Sequence, residues 1–144
     1  MSFATGARRS EINKMCRDSL NVCPISETDD QNGLDFYKFF SPTILTCEKQ
    51  GHRILLAMHI VAKTYEDPMI FHAYIREVVN RHRQFKMEPS LWVAFWTVFT
   101  GYLESKNAAV NEKLSQDTKE AWMELGQEFA TVAREHLKKS GLPH

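Results

Sequence analysis

The stretch LWVAFWTVF, residues 91–99, is apolar on nearly every face of a 3.6-residue period. An ordinary surface helix hides one stripe. A helix carrying Leu91, Trp92, Val93, Phe95, Trp96, Val98 and Phe99 has to be covered on several sides at once. Pro89 stands where such a helix opens. Other helices must therefore surround this one, and each must offer an apolar stripe of its own.

The rest of the chain supplies those stripes. Ile12, Met15, Cys16 and Leu20 share a face between Ser10, a plausible N-cap, and Val22. PISETDDQNG is polar turn material, and the short run LDFYKFF, with Leu34, Tyr37 and Phe40, stops at Ser41-Pro42. From about Glu48 to Tyr65 the stripe is Ile54, Leu55, Met58, Val61 and Ala62. Asp67-Pro68 restarts a helix whose stripe is Phe71, Tyr74, Ile75, Val78 and Val79, with His82 four residues past Val78. The last helix spans about Gln116 to Lys139, turning Trp122, Leu125, Phe129, Val132 and Leu137 inward before a Ser140-Gly141 cap. Strand alternation is nearly absent. With 144 residues, no repeat and no Gly/Ser linker, the expectation is one all-α domain over residues 1–144.

Composition removes several classes of function. Lys+Arg and Asp+Glu both number 18, so there is no basic surplus for nucleic acid. Arg76, Arg81, Arg83 and Lys86 read as a solvated helix end. Cys16, Cys23 and Cys47 form no CxxC and, being odd in number, no disulfide framework; they make no zinc spacing with His52, His59, His72 or His82. No apolar run reaches membrane-span length, and MSFATGARRS lacks the apolar core of a secretory signal. The expected compartment is a reducing cytoplasm, with neither membrane nor nucleic acid as partner. GxSxG, P-loop, GxGxxG and HExxH motifs are all missing, and Glu104, Glu124 and Glu128 read as solvated residues on polar helix faces.

What remains is REVVNRHRQFKMEP. His82 lies between two arginines at the end of a helical stripe, where a histidine is ordinarily just attracted to the carbonyl end of the helix dipole. Gln50 shares a face with Ile54 on the preceding helix. If those helices pack antiparallel, Gln50 and His82 face each other across a gap. A planar cofactor with a central metal suits such a gap, with histidine as axial ligand and glutamine as a hydrogen-bond donor opposite.

The run from EKQGHRILLAMHIVAK to FWTVFTGYLES resembles the E-to-G region of a globin, close to the intracellular nematode globins. AWMELGQEFATVAREHL resembles the last globin helix, and the final LPH also fits. The resemblance implies that His82, placed before Pro89 at the family's spacing, ligates haem iron on the proximal side. It implies that Gln50 is the distal residue, that Ile54 overhangs the ligand one turn later, and that Tyr37 of FYKFF is the B-helix tyrosine. Tyr37 and Gln50 resemble the pair that hydrogen-bonds dioxygen. Val93 and Trp96 are assigned to the pocket lining by their distance from Pro89.

One stretch departs from the family's pattern. Tyr37 and Gln50 are thirteen positions apart, whereas a full-length globin has about twenty more residues between them. SPTILTC stands in their place, so the expected fold is globin-like without the C helix, the CD corner and the start of the E helix, its B–E connection shortened to residues 41–48. The corner phenylalanine that wedges the haem has no counterpart. An aromatic ring burying ~150–250 Å² is worth roughly 4–6 kcal/mol at ~25 cal/mol per Å², or about a thousandfold in affinity. Ile44 and Leu45 can cover part of that loss. An opened haem edge also admits water, which favours oxidation of ferrous iron.

The resemblance therefore implies a protein holding haem b (iron protoporphyrin IX) and binding dioxygen, or another diatomic gas, on ferrous iron, for oxygen storage or transport. Two alternatives stay open. One is a haem redox or nitric-oxide-processing enzyme or sensor; the other is a shortened variant that has lost stable haem binding. A monomer and a homodimer are both compatible with the chain.

Overall fold

The computed structural model describes residues 3–25, 31–40, 48–83 and 90–141. Six α-helices follow one another among them: α1 Gly6–Ser19, α2 Gln31–Phe40, α3 Glu48–Thr64, α4 Pro68–His82, α5 Leu91–Ala109 and α6 Gln116–Lys139. A 3-10 turn, Leu20–Val22, continues α1. The described residues contain no strand, in keeping with the all-α reading. The connection over 41–47 lies outside the described residues.

Local chemistry accounts for most boundaries. Asp67 caps α4, its carboxylate accepting from the backbone N–H of Met69 (3.1 Å) and Ile70 (3.4 Å), and Pro68 fills the first helical position. Ser115 caps α6 by accepting from Thr118 N–H at 3.1 Å. The chain leaves α6 through Gly141 at φ +73°, a left-handed turn that a side chain would strain. At α1 the expected cap is displaced. Thr5 is the N-cap, and Ser10, inside the helix, donates its hydroxyl to Glu66 instead (2.9 Å).

α5 is covered on several sides, as its composition requires. Trp92, Trp96, Phe99, Tyr102 and Leu103 are buried, while Leu91, Val93, Phe95 and Val98 are half-buried on the remaining faces. Its neighbours are α6 along one side and α2 along another. The approach to α6 depends on Gly126, where any Cβ would overlap the Trp96 indole. Trp96 stacks on Trp122 with ring centroids 6.3 Å apart and meets Phe129 edge-on at 5.3 Å. Phe99 and Tyr102 extend the aromatic column to Phe36 on α2.

A second centre, built from charge, joins α1, the α3–α4 corner and α6. Arg9 and Glu128 are each 3% exposed and pair through two hydrogen bonds of 3.0 and 2.8 Å. Arg9 also donates to the carbonyls of Tyr65 (2.7 Å) and Ala4 (2.8 Å), and its guanidinium lies 4.0 Å from the Tyr65 ring centroid. The Tyr65 hydroxyl donates to Glu128 at 3.3 Å, and His72 on α4 reaches the same carboxylate at 2.7 Å. Asn13 donates to the carbonyls of Ala62 and Lys63, which the end of α3 leaves without helical partners. Glu128 is thus not the solvated residue its charge suggests: it is buried and satisfied by three side chains. Glu124 is paired as well, with Arg8 at 2.6 Å.

Candidate functional site

α3 and α4 form a helical hairpin whose corner, Tyr65 to Asp67, is locked by the charged centre. Gln50 lies fifteen residues before Tyr65, and His82 lies fourteen after Pro68. At ~1.5 Å per residue both stand about 21–23 Å from the corner, so the hairpin carries them to its same, open end. Gln50 and Ile54 are half-buried on successive turns of α3. α2 packs along α3, and Gly33 and Gly51, one in each helix, are both buried. Tyr37 belongs to α2, but its side chain lies outside the described residues.

His82 is the last residue of α4 and is half-buried. Its Nδ1 stands 2.8 Å from the carbonyl oxygen of Val78, one turn back. A carbonyl can only accept, so Nδ1 carries a proton, and in the neutral ring the basic lone pair then sits on Nε2. That is the tautomer a metal takes, and the carbonyl fixes the ring's orientation as well. No cluster of three or more His, Cys, Asp or Glu occurs among the described residues. A lone imidazole serves where the metal arrives with its remaining ligands, as iron in a tetrapyrrole does.

α5 brings Trp92 to this end. Its ring meets His82 edge-on, with centroids 5.7 Å apart, and leans on Phe129 at 6.1 Å. Trp92 is 7% exposed, yet its Nε1 finds no acceptor among the described residues. A buried donor without a partner costs about 1–3 kcal/mol. The described residues thus leave this donor for an acceptor from elsewhere, and together with the His82 tautomer this fits a tetrapyrrole.

Val93, the next residue, is half-buried, and Trp96 lies 2% exposed in the seam between α5 and α6, against Trp122, Phe129 and Gly126. Trp92 is the residue that distance from Pro89 did not single out. Its signal was the i, i+4 relation to Trp96, which puts both indoles on one side of α5.

Three other histidines have structural partners: His59 with the Cys23 carbonyl (2.9 Å), His72 with Glu128, and His136 with Asn80 (2.8 Å). A surface hollow of about 390 Å³, lined by Arg8, Glu11, Lys14, Met15, Asp117 and Glu120, belongs to α1 and the start of α6. Its charges of both signs mark it as a solvated groove, and none of its residues belongs to the hairpin. No helix among the described residues is long and apolar enough to cross a membrane.

A protein-family model described as Globin matches residues 45–133. A globin-like protein of Caenorhabditis briggsae is 41% identical, with 94% of this chain and 96% of the relative covered. A myoglobin of Nippostrongylus brasiliensis is 36% identical over 94% of this chain and 99% of its own length. Among solved structures, the Caenorhabditis elegans globin-like protein GLB-1 superposes with a TM-score of 0.84 at 38% identity, covering 96% of this chain and 99% of that one.

Proposed function

The chain belongs to the globin family, and we propose that it is a haem b protein that binds dioxygen, with His82 as the proximal iron ligand. The observation that carries this reading is the His82–Val78 hydrogen bond, which orients the imidazole at the open end of the hairpin with its lone pair on Nε2. Haem iron, when bound, supplies a reversible site for a diatomic gas. Everything else is asked of this chain. His82 holds the cofactor from α4. Gln50, at matching register on α3, donates a hydrogen bond on the opposite face, with Tyr37 of α2 as the second donor. Ile54 and Val93 exclude water, and Trp96 braces the wall from behind.

The shortened B–E connection is part of the proposal. The alignment with the Caenorhabditis briggsae relative runs over 159 residues, more than the 144 of this chain, so that relative carries residues this chain lacks. A single domain with an abbreviated connection accounts for both facts. A reducing, cytoplasmic setting suits the two buried free thiols, Cys16 and Cys23.

Hemin titration followed by reduction and carbon monoxide tests the reading. The expected result is a sharp Soret band that shifts with carbon monoxide and is lost in His82→Ala. A broad band that ignores His82→Ala would sink it.

A further inference from the structure

We infer that Trp92 is a positioning residue of the cofactor site, its indole N–H donating a hydrogen bond to an acceptor on the group that His82 holds. The inference rests on the haem reading above and adds a residue to it. Three observations carry it. Trp92 is more than nine-tenths buried, its Nε1 has no acceptor among the described residues, and its ring stands edge-on against His82 at 5.7 Å. Contrast Trp122, fully buried, whose N–H donates to Ser19 Oγ at 2.9 Å. Buried indoles ordinarily find a partner. An unpartnered donor turned to packing alone is better served by phenylalanine, which covers apolar surface without the unmet N–H. Its place beside the proposed iron ligand therefore points to a partner supplied by the cofactor.

A tetrapyrrole offers acceptors of two kinds, its rim carboxylates and its π face, the weaker of the two. Both meet an N–H donor in the same way, and esterifying the carboxylates separates them. With the Trp92 edge on one side and the Val78 carbonyl on the other, the imidazole is held by two contacts from different helices. Trp92 thus acts on both the cofactor's seat and the azimuth of its ligand.

The test reads the indole directly, by ultraviolet resonance Raman of the N–H-sensitive tryptophan band, in the apoprotein and after adding hemin or hemin dimethyl ester. The Trp92 contribution is assigned by its loss in Trp92→Phe, with the Ser19-bound Trp122 as internal reference. The expected result is a non-bonded Trp92 band in the apoprotein that moves to the hydrogen-bonded position with hemin. Trp92→Phe should release hemin roughly three- to tenfold faster. It should also alter the iron–histidine stretching frequency, through the lost edge contact with His82. A shift that shrinks with the dimethyl ester, whose neutral carbonyl is the weaker acceptor, assigns the rim carboxylate, and an unchanged shift assigns the π face. A hemin complex with a sharp Soret band but an unmoved Trp92 band overturns the inference while the haem reading stands. Failure of the unmutated protein to give a sharp Soret band overturns both. The shift itself is read in the unmutated chain, and the variant serves only to assign it.

Discussion

The two ends of α4 are built on opposite terms. At its start, His72 joins Arg9, Tyr65 and Glu128 in a buried cluster where the carboxylate meets three partners and the guanidinium four acceptor atoms. At its finish, His82 is half-buried and the neighbouring Trp92 keeps a donor that no described residue satisfies. The first end is complete in the chain itself. At the second, the described residues leave one buried donor unmet. A polar group buried without its partner marks a place where a fold gives up stability, and such places concentrate where function is.

The largest effect should come from breaking the complete end. Glu128→Ala, or Arg9→Met, leaves its partner's charge buried and uncompensated, and is expected to cost about 3–5 kcal/mol in denaturant unfolding. The pair replaced together, Arg9→Met with Glu128→Leu, should cost less than either change alone. Equal or greater loss in the double variant would show that the cluster matters for packing and not for charge. Next, Gly126→Ala forces the Trp96 indole aside and should cost about 1–3 kcal/mol, with a changed near-ultraviolet dichroism from the tryptophan stack. Removing the α4 cap, Asp67→Ala, should cost about 1 kcal/mol by thermal unfolding.

The other end should behave in reverse. His82→Ala is expected to change the apoprotein's stability by less than about 1 kcal/mol while abolishing the sharp Soret band. A large loss of apoprotein stability would erase the contrast between the two ends. A further effect is one of pH. Burial pushes the Cys23 thiol from 9.0 up to about 11, against the pull of Lys106. Between those values the unfolded thiol has lost its proton while the folded one keeps it, so stability is full below 9 and falls as pH rises towards 11. Tyr65 and Tyr102, whose hydroxyls burial also pushes up, act in the same sense at higher pH. Thermal midpoints measured across that range should decline, and because burial pushes the Cys16 thiol up from the same 9.0, Cys23→Ala should lessen the early fall without abolishing it.

The sequence made the helices easy to see and their rotations hard. α6 keeps the bounds its periodicity announced, because Ser115 and Gly141 mark both ends locally. Glu128 was misjudged because its partner, Arg9, is 119 positions away, and a charge reads as solvent-facing until such a partner is known. Yet Glu128 is three residues past Leu125 and so shares the inward face of α6. Around His82, Pro89 gives the distance to α5 but not the angle at which α5 is turned. That angle decides that Trp92 meets the imidazole and that Trp96 faces Gly126. Tyr37 illustrates a different limit. Its helix follows from its apolar pattern, while its place relative to Gln50 depends on the connection over 41–47, which lies outside the described residues.

Because α4 is clamped at its start, it is a lever with its fulcrum at His72 and Glu128. His82, ten residues further on, is its tip, about 15 Å away. A tilt of about 4° at the clamp sweeps that tip by roughly 1 Å. Force applied at the imidazole returns as torque on that buried carboxylate and as load on the bonds that Asn80 and Arg83 make to α6, so the grip of α6 at both ends of the lever sets where the histidine points.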